Sequence, residues 1–563
     1  MRRSAESSPL LYVARLASPD IYKLSVVLIL MSASLLLSFA FPLAMRYLID
    51  VALARRDSAE VARVIVMLGA AYLTQVGMSY VANYLYVRAA NEFVLRLRRS
   101  LFERILALRY EVAGGTGTGD LIARVMEDVG RIQTFYMSTS LRLITSVLSI
   151  VIALFLLIRM NVSLTVVASA AVPLQFLLYQ VVARKAQALS RRVQHQVGKV
   201  TSWIAESIRG LMEIKVLTAE RFARDRFRRL LAEHGNLKVT LHLVSCAASH
   251  GGTLLTSLAP LVVIWFGSLL IARGEFTIGT LVAFTTTVAR LYSPIDGLAG
   301  LNLDLRIMVG AAERVMDLRE NLLCEPDEPV FPRDQDQYAL KWGDVQFDHV
   351  WFRYRDNTPF ILRNLSFRIG QGEHIALVGD NGTGKTTVAR LILGLLEPTQ
   401  GEVLIGGQSV SQVPRDLLRR KITYISGEPY VFNATLRENL LIAKPDATDD
   451  ELLDVLEAMN IEIGNGLCLD TVLAEGGVRL SAGQRQRISL ARALLRAPEV
   501  LILDEATSSL DAPFERHLLR VIADRFRGKT VVFIAHREST LEGAVRRVEL
   551  SCCGEAEMDS ARD

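Results

Sequence analysis

Apolar residues are unevenly distributed along this chain. Through the first three hundred positions they gather into long, nearly unbroken runs, and beyond about 340 they fall into short runs separated by glycine and polar residues. A helix needs about 20 mostly apolar residues to cross the hydrocarbon layer of a membrane. Six stretches meet that requirement, near 22–46, 61–86, 139–158, 162–183, 243–272 and 277–301. The third and fourth are parted only by Arg159-Met160-Asn161, and the fifth and sixth by Arg273-Gly274-Glu275. Two long polar connections, about 88–138 and 184–238, alternate with these short ones. Leu95, Leu101, Phe102, Ile105 and Leu108 recur at helical spacing in the first, which predicts spans that continue as helices beyond the membrane. Each pair has to turn back. The run Gly114-Gly115-Thr116-Gly117-Thr118-Gly119 marks one turn, with a short helix after it at Asp120-Leu121-Ile122-Ala123-Arg124 placed to dock on the soluble part; the second turn is expected near Ser207-Ile208-Arg209-Gly210.

The long connections carry Arg96, Arg98, Arg99, Arg104, Arg184, Lys185, Arg191 and Arg192, whereas the short one after the third span has a single basic residue. By the positive-inside rule the long connections face the cytoplasm, as does the N-terminus with Arg2 and Arg3. An even number of spans returns the chain to that side. The chain has 563 residues, 51% of them hydrophobic, so it divides into an all-α six-helix transmembrane domain over 1–320, a linker at 321–342 bearing Pro326, Pro329 and Pro332, and an α/β domain over 343–563. The net charge of +5 is small for this length and gives no argument for a nucleic-acid partner. Cys246, Cys324, Cys468, Cys552 and Cys553 have neither metal-ligand nor disulfide-framework spacing.

The chemistry lies in the last two hundred residues. Gly379-Asp380-Asn381-Gly382-Thr383-Gly384-Lys385-Thr386-Thr387 follows the strand-like Ile375-Ala376-Leu377-Val378 and precedes the helix-like Val388-Ala389-Arg390-Leu391-Ile392-Leu393. Strand, glycine-rich loop and helix together form the setting of a phosphate-binding P-loop. The glycines let successive N–H groups face one anion, and the helix N-terminus adds its partial positive charge. Lys385 can reach the outer phosphates of ATP and Thr386 can ligate Mg²⁺. Downstream, the apolar Val500-Leu501-Ile502-Leu503 ends in Asp504-Glu505. Such a strand delivers both carboxylates to the sheet edge where ligands bind, Asp504 toward the metal and Glu505 as the base that polarises the attacking water. Leu480-Ser481-Ala482-Gly483-Gln484 opens another helix and offers a second anion-binding helix start, which suggests that the nucleotide of another subunit meets it. Tyr354, upstream of the P-loop, could stack on a flat adenine ring.

With these motifs in this order, the soluble part resembles the ATPase domain of the ABC transporter superfamily over about 343–550. Residues 379–387 match its Walker A run, 480–484 its signature and Asp504-Glu505 its Walker B end. Ser509-Leu510-Asp511 matches the D-loop and His536 the switch histidine. With six spans in front, the whole chain is similar to an exporter-type half-transporter of bacterial multidrug, lipid or peptide exporters. Gly119-Asp120-Leu121-Ile122 resembles its first coupling region, Glu206, Gly210, Ile214-Lys215 and Glu220 the second, and Thr471-Val472-Leu473-Ala474-Glu475-Gly476-Gly477 the loop that contacts them. The resemblance implies two copies of the chain in the bacterial cytoplasmic (inner) membrane with their ATPase domains in the cytoplasm. It also implies two Mg²⁺–ATP molecules, each held between Walker A of one copy and Ser481, Ala482, Gly483, Gln484 and Asp511 of the other. His536 would contact the γ-phosphate, and closure would turn the spans from inward-facing to outward-facing.

One position departs from the pattern. Gly427, in Ser426-Gly427-Glu428-Pro429, stands where exporters carry a glutamine that helps hold Mg²⁺ and the attacking water. Glu428 or water could fill the place, hydrolysis could be slow, or the chain could be the weaker or regulatory half of a heterodimer. Retention of Glu505 and His536 argues against a dead site, and Gly427→Gln is expected to raise turnover if the missing amide limits it. The exported substrate is not named by the sequence: small molecule, peptide or lipid. Candidate cavity residues are Gln75, Ser79, Asn83 and Tyr86 on the second span and Tyr292, Asp296 and Asn302 on or near the sixth.

Overall fold

The computed structural model describes residues 21–298, 301–325, 342–355, 357–462, 467–473, 480–534, 546–551 and 556–558, together with Tyr12 and Ala544. The chain forms two compact units: one comprises Met1–Leu106 and Gly119–Asn321, the other Ala107–Thr118 and Leu322–Asp563.

The first unit is helical. Ile21–Ser38 and Ala40–Tyr47 make the first span. The break at Phe39 has a cause, because Pro42 has no N–H to donate one turn back, toward Ser38. Ser58–Leu106 runs unbroken for 49 residues and Glu220–Ala272 for 53. At about 1.5 Å per residue these helices are roughly 70–80 Å long, more than twice the hydrocarbon thickness. They therefore extend well beyond any bilayer, as the helical spacing of Leu95 to Leu108 predicts. The second turn lies at Gly210, which caps Ala171–Arg209 before the short helix Leu211–Val216. Between the third and fourth spans, Asn161 accepts from the Leu164 N–H at 2.9 Å, starting Val162–Ser169 directly after Ser140–Met160.

Among the described residues five helices are long and apolar enough to cross a membrane. The helix Ile278–Leu298, where the sixth span is expected, is not one of the five; it carries Arg290 and Pro294. The most apolar window of Ser58–Leu106 is only 6% buried. A water-soluble helix of that composition would bury its apolar face; here most of it is exposed in the single chain. Packing inside the unit centres on Phe39, Leu157, Leu164, Val263, Phe284, Val288 and Leu291.

The second unit is α/β. Its main sheet runs, edge to edge, Ala556–Met558, Arg546–Leu550, His374–Val378, Thr530–Ile534, Val500–Asp504, Ile422–Ile425. All neighbours are parallel except the first pair. Val500–Asp504 and Thr530–Ile534 are buried at every position, as strands covered on both faces must be. A second, antiparallel sheet pairs Val345–Phe352 with Leu362–Ile369 and with Gln400–Ile405.

Ala107–Thr118 belongs to this unit. Leu108 bridges Cys324, the Arg109 N–H donates to the Leu323 carbonyl at 3.2 Å, and Glu325 N–H to the Ala107 carbonyl at 2.8 Å. Within it Tyr110–Gly115 forms a short helix, although Gly114 and Gly115 read as turn residues. Asp120–Arg124, the segment expected to dock, falls in the helical unit, where Arg124 pairs with Asp120 and Asp317.

Candidate active site

The phosphate loop leaves the strand His374–Val378 and enters the helix Lys385–Ile392. Two of its glycines are required by space as well as by angle. Gly379 has φ +145°, and a Cβ there would lie 2.5 Å from the Leu550 carbonyl oxygen. Gly384 has φ +98°, and its Cβ would lie 2.6 Å from a Leu362 methyl. Asn381 and Gly382 form the exposed tip, and the Thr383 hydroxyl donates to the Asp380 carbonyl at 3.0 Å. Lys385 is 7% exposed and donates to the Gly379 and Asp380 carbonyls at 2.6 and 2.8 Å. Burial pushes its ammonium below the ordinary lysine range, while Glu505, Asp380 and Asp504 pull the other way. The Tyr354 and Thr387 hydroxyls lie 3.3 Å apart, which places the expected adenine platform beside the same helix.

Asp504 ends its strand 5% exposed, and its Oδ2 accepts from Thr386 Oγ1 at 2.7 Å. The same oxygen accepts from the Tyr424 hydroxyl at 2.8 Å. Tyr424 reaches it from Ile422–Ile425, where it stands opposite Ile502. Burial first, and Asp504 next, push that phenol above its ordinary value, so it remains a donor. Nothing in the sequence singled out Tyr424; only the parallel register brings it to the carboxylate. Tyr424→Phe removes one of the two donors that Asp504 has among the described residues. The expected loss in turnover is about 10-fold or more, from about 1.5–3 kcal/mol for a hydrogen bond to a charged group. Parental kcat in the Phe variant would assign the hydroxyl to packing.

Glu505 is exposed, adopts φ +53°, and is held there by its N–H donating to the Ile534 carbonyl at 2.8 Å. A non-glycine residue in that region is strained by about 1–3 kcal/mol, and such strain clusters at reactive positions. Gly427 packs against this corner. A Cβ on it would lie 3.3 Å from Glu505 Cβ and 3.4 Å from the Glu505 carbonyl oxygen. The position therefore lacks an amide and also brings the backbone close to the base. Two variants separate these effects: Gly427→Ala is expected to be slower than the parent, about 2–5-fold from about 1 kcal/mol of crowding, and Gly427→Gln faster than Gly427→Ala by what the amide contributes. Identical rates for Ala and Gln would show the amide to be worth nothing here.

Ser481 caps the helix Ala482–Arg496. Its Oγ accepts from the Gln484 N–H at 3.1 Å while Gln484 Oε1 accepts from the Ser481 N–H at 2.8 Å. Ser481, Ala482 and Gln484 are exposed, and a Cβ on Gly483 would press on the Ser509 carbonyl at 3.3 Å. Asp511 stands at the N-cap position of Ala512–Arg525 without a side-chain capping bond, with Arg487 at 3.7 Å. The structure thus joins Walker A to Walker B through Thr386–Asp504 and presents the signature as a separate exposed helix start. His536 and Ala474–Gly477 lie outside the described residues. So do the linker prolines, Cys552, Cys553, and the side chains of Asp296 and Asn302.

Hydroxyl and carboxylate oxygens 2.7 Å apart at Thr386 and Asp504 are the hard donors that Mg²⁺ takes, and the loop leads into a helix N-terminus, the setting that binds phosphate oxygens. Of the candidate cavity residues, Tyr86 is buried and bonded to the Tyr136 carbonyl and, at 2.8 Å, to Ser140. Tyr292 is buried against the Ala168 carbonyl. Both serve helix packing. Asn83 remains exposed.

Comparison with known proteins agrees with this geometry. Residues 24–295 match the model of the ABC transporter transmembrane region, and residues 362–508 that of the ABC transporter domain. A fatty acid ABC transporter ATP-binding/permease protein of Mycobacterium bovis is 30% identical over 87% of this chain and 77% of its own length. An ATP-dependent lipid A-core flippase of Dechloromonas aromatica is 30% identical over 85% and 82%. Among solved structures, a bacterial Atm1-family ABC exporter with ATP bound superposes with a TM-score of 0.81 at 22% identity, over 96% of this chain and 95% of that one. A membrane-spanning helical unit, a P-loop meeting a Walker B carboxylate and relatives of this extent have one common explanation: the chain belongs to the ABC transporter family, as an exporter-type fusion of transmembrane and ATPase domains.

Proposed function

We propose that this chain is one half of an ATP-driven exporter that pairs with a second copy of itself in the bacterial cytoplasmic membrane and moves a small molecule, lipid or peptide outward. The observation that carries the reading is the junction of Thr386 with Asp504 at the mouth of the phosphate loop, in a chain whose other unit has, among the described residues, five helices long and apolar enough to cross a membrane.

The proposed roles follow from chemistry. Lys385, turned onto the loop carbonyls, is within reach of outer phosphate oxygens and supplies charge there. Thr386 and Asp504 hold the metal, whose contribution when bound is to neutralise phosphate charge. Tyr354 offers its ring to the base. Glu505 orients a water and accepts its proton, and the match to the switch histidine assigns His536 to the terminal phosphate. Ser481, Ala482, Gly483, Gln484 and Asp511 close over the nucleotide of the partner. An exposed helix start suits such a contact, because it has N–H groups beyond the two that its capping box takes. The reading as a regulatory half rests on Gly427 alone, and the retained Glu505 speaks for turnover.

The experiment is uptake into inverted membrane vesicles. Two relatives named above handle a fatty acid and lipid A-core by name, so a fluorescent fatty acid and a fluorescent lipid are the first probes, followed by cationic dyes and peptides. ATP-dependent accumulation that vanadate stops is the expected result. ATPase activity that no probe stimulates, with no accumulation of any of them, would favour the regulatory reading.

A further inference from the structure

Arg390 sits in the helix Lys385–Ile392, just past the phosphate loop, and is surrounded by tyrosines from three separate segments of the ATPase unit. Its guanidinium carbon lies 5.4 Å from the ring centroid of Tyr110, in the short helix Tyr110–Gly115. Its Nη1 donates to the Tyr354 hydroxyl at 3.2 Å, and that hydroxyl also meets Thr387. Tyr424, the donor to Asp504, is the third: its phenol feels the charge of Arg390. One cation therefore touches the docked helix and the adenine-side ring, and faces the residue that holds the metal-side carboxylate.

Geometry gives the cluster its direction of action. Tyr354 is 41% exposed, and its ring packs edge-on against Phe352 at 5.0 Å. Its hydroxyl has the Arg390 fork and the Thr387 hydroxyl as partners, so the ring's angle depends on where that fork lies. The fork in turn is covered by the face of Tyr110, a cation–π contact worth about 0.5–2 kcal/mol. A lysine could keep the charge but would lose both the planar stack and the directed N–H.

We propose that Arg390 is a positioning residue that couples the docked helix Tyr110–Gly115 to nucleotide affinity, by holding Tyr354 against the base while Tyr110 stacks on its guanidinium. The inference rests on the nucleotide-site reading above. By thermodynamic reciprocity, whatever displaces Tyr110 weakens nucleotide binding, and bound nucleotide holds Tyr110 in place to the same degree.

The test uses the full chain in lipid discs, titrated with trinitrophenyl-ATP plus Mg²⁺ and assayed for steady-state ATP hydrolysis. Tyr110→Ala is expected to raise both the Kd and the ATP KM by about 3–10-fold with kcat held within about twofold. Tyr110→Phe, which keeps the ring face, retains parental values. Arg390→Lys weakens binding as Tyr110→Ala does, and the double variant is no weaker than the poorer single one. Parental Kd and KM in Tyr110→Ala would overturn the proposal. So would equal impairment in Tyr110→Phe, or a fall confined to kcat. Lys385→Ala separates the two readings: parental affinity there overturns the nucleotide site and this inference with it, whereas loss there beside a silent Tyr110→Ala overturns only the coupling.

Discussion

Glu505→Gln abolishes ATP turnover while leaving nucleotide affinity near that of the parent chain. The substitution keeps shape and hydrogen-bonding length and removes only the ability to take a proton. Glu505 follows Asp504 directly, is exposed at the end of a fully buried strand, and is fixed in a left-handed conformation by its N–H on the Ile534 carbonyl. The backbone that aims it is untouched by the change, and so is the Thr386–Asp504 pair. A positioned general base contributes about 10²–10⁴-fold, so phosphate release in lipid discs is expected to fall by at least ~100-fold. Equal rates for variant and parent would remove Glu505 from its role and leave the site without an identified base.

Lys385→Ala acts earlier, on binding. Lys385 is almost wholly buried, yet its donors are spent on two carbonyls of its own loop, a weak return for removing an ammonium from water. Burial outweighs the pull of the nearby Glu505, Asp380 and Asp504 carboxylates on this ammonium, so a further anion at the loop would stabilise it. Removing the side chain is expected to leave thermal stability nearly unchanged and to weaken trinitrophenyl-ATP binding by roughly 100-fold, about 2.7 kcal/mol. Unfolding of the variant at a much lower temperature with affinity preserved would make Lys385 a structural residue instead.

Much of this was legible in the sequence because the signals are local. Strand, glycine loop and helix follow one another within twenty residues around Lys385, and spacing alone located the loop. The Asp504 carboxylate was legible for the same reason, at the end of an apolar strand. The turn at Gly210 and the Asn161 break between spans were also readable from glycine and cap residues. Contacts between distant segments were not. Tyr424 meets Asp504 only through parallel register across two strands 80 residues apart in the chain. Tyr110 meets Arg390 from nearly 300 positions away. The glycine run at Gly114 and Gly115 read as a turn, and nothing in it signalled that contacts around Arg109 and Tyr110 place Ala107–Thr118 in the ATPase unit. Tyr86 and Tyr292 were read as cavity residues because polar groups in spans mark function by default; both find backbone or hydroxyl partners inside the bundle.

Gly427 illustrates the same limit. From sequence it is a missing amide. In the fold it is also a close approach to Glu505, and the Ala and Gln variants together weigh the two.

The account depends on nucleotide being held between two copies of the chain. The direct measurement places Asn381→Cys on one tagged copy and Ala482→Cys on a differently tagged copy. Both carry Glu505→Gln in a background stripped of native cysteines, and they are co-expressed and treated in membranes with a short bifunctional thiol reagent. Both positions are exposed in the single chain. A cross-link joining the two tags that appears with Mg²⁺–ATP, and is lost when Lys385→Ala is added, is the predicted result. Nucleotide bound at parental affinity with no link between tags under any condition would contradict it.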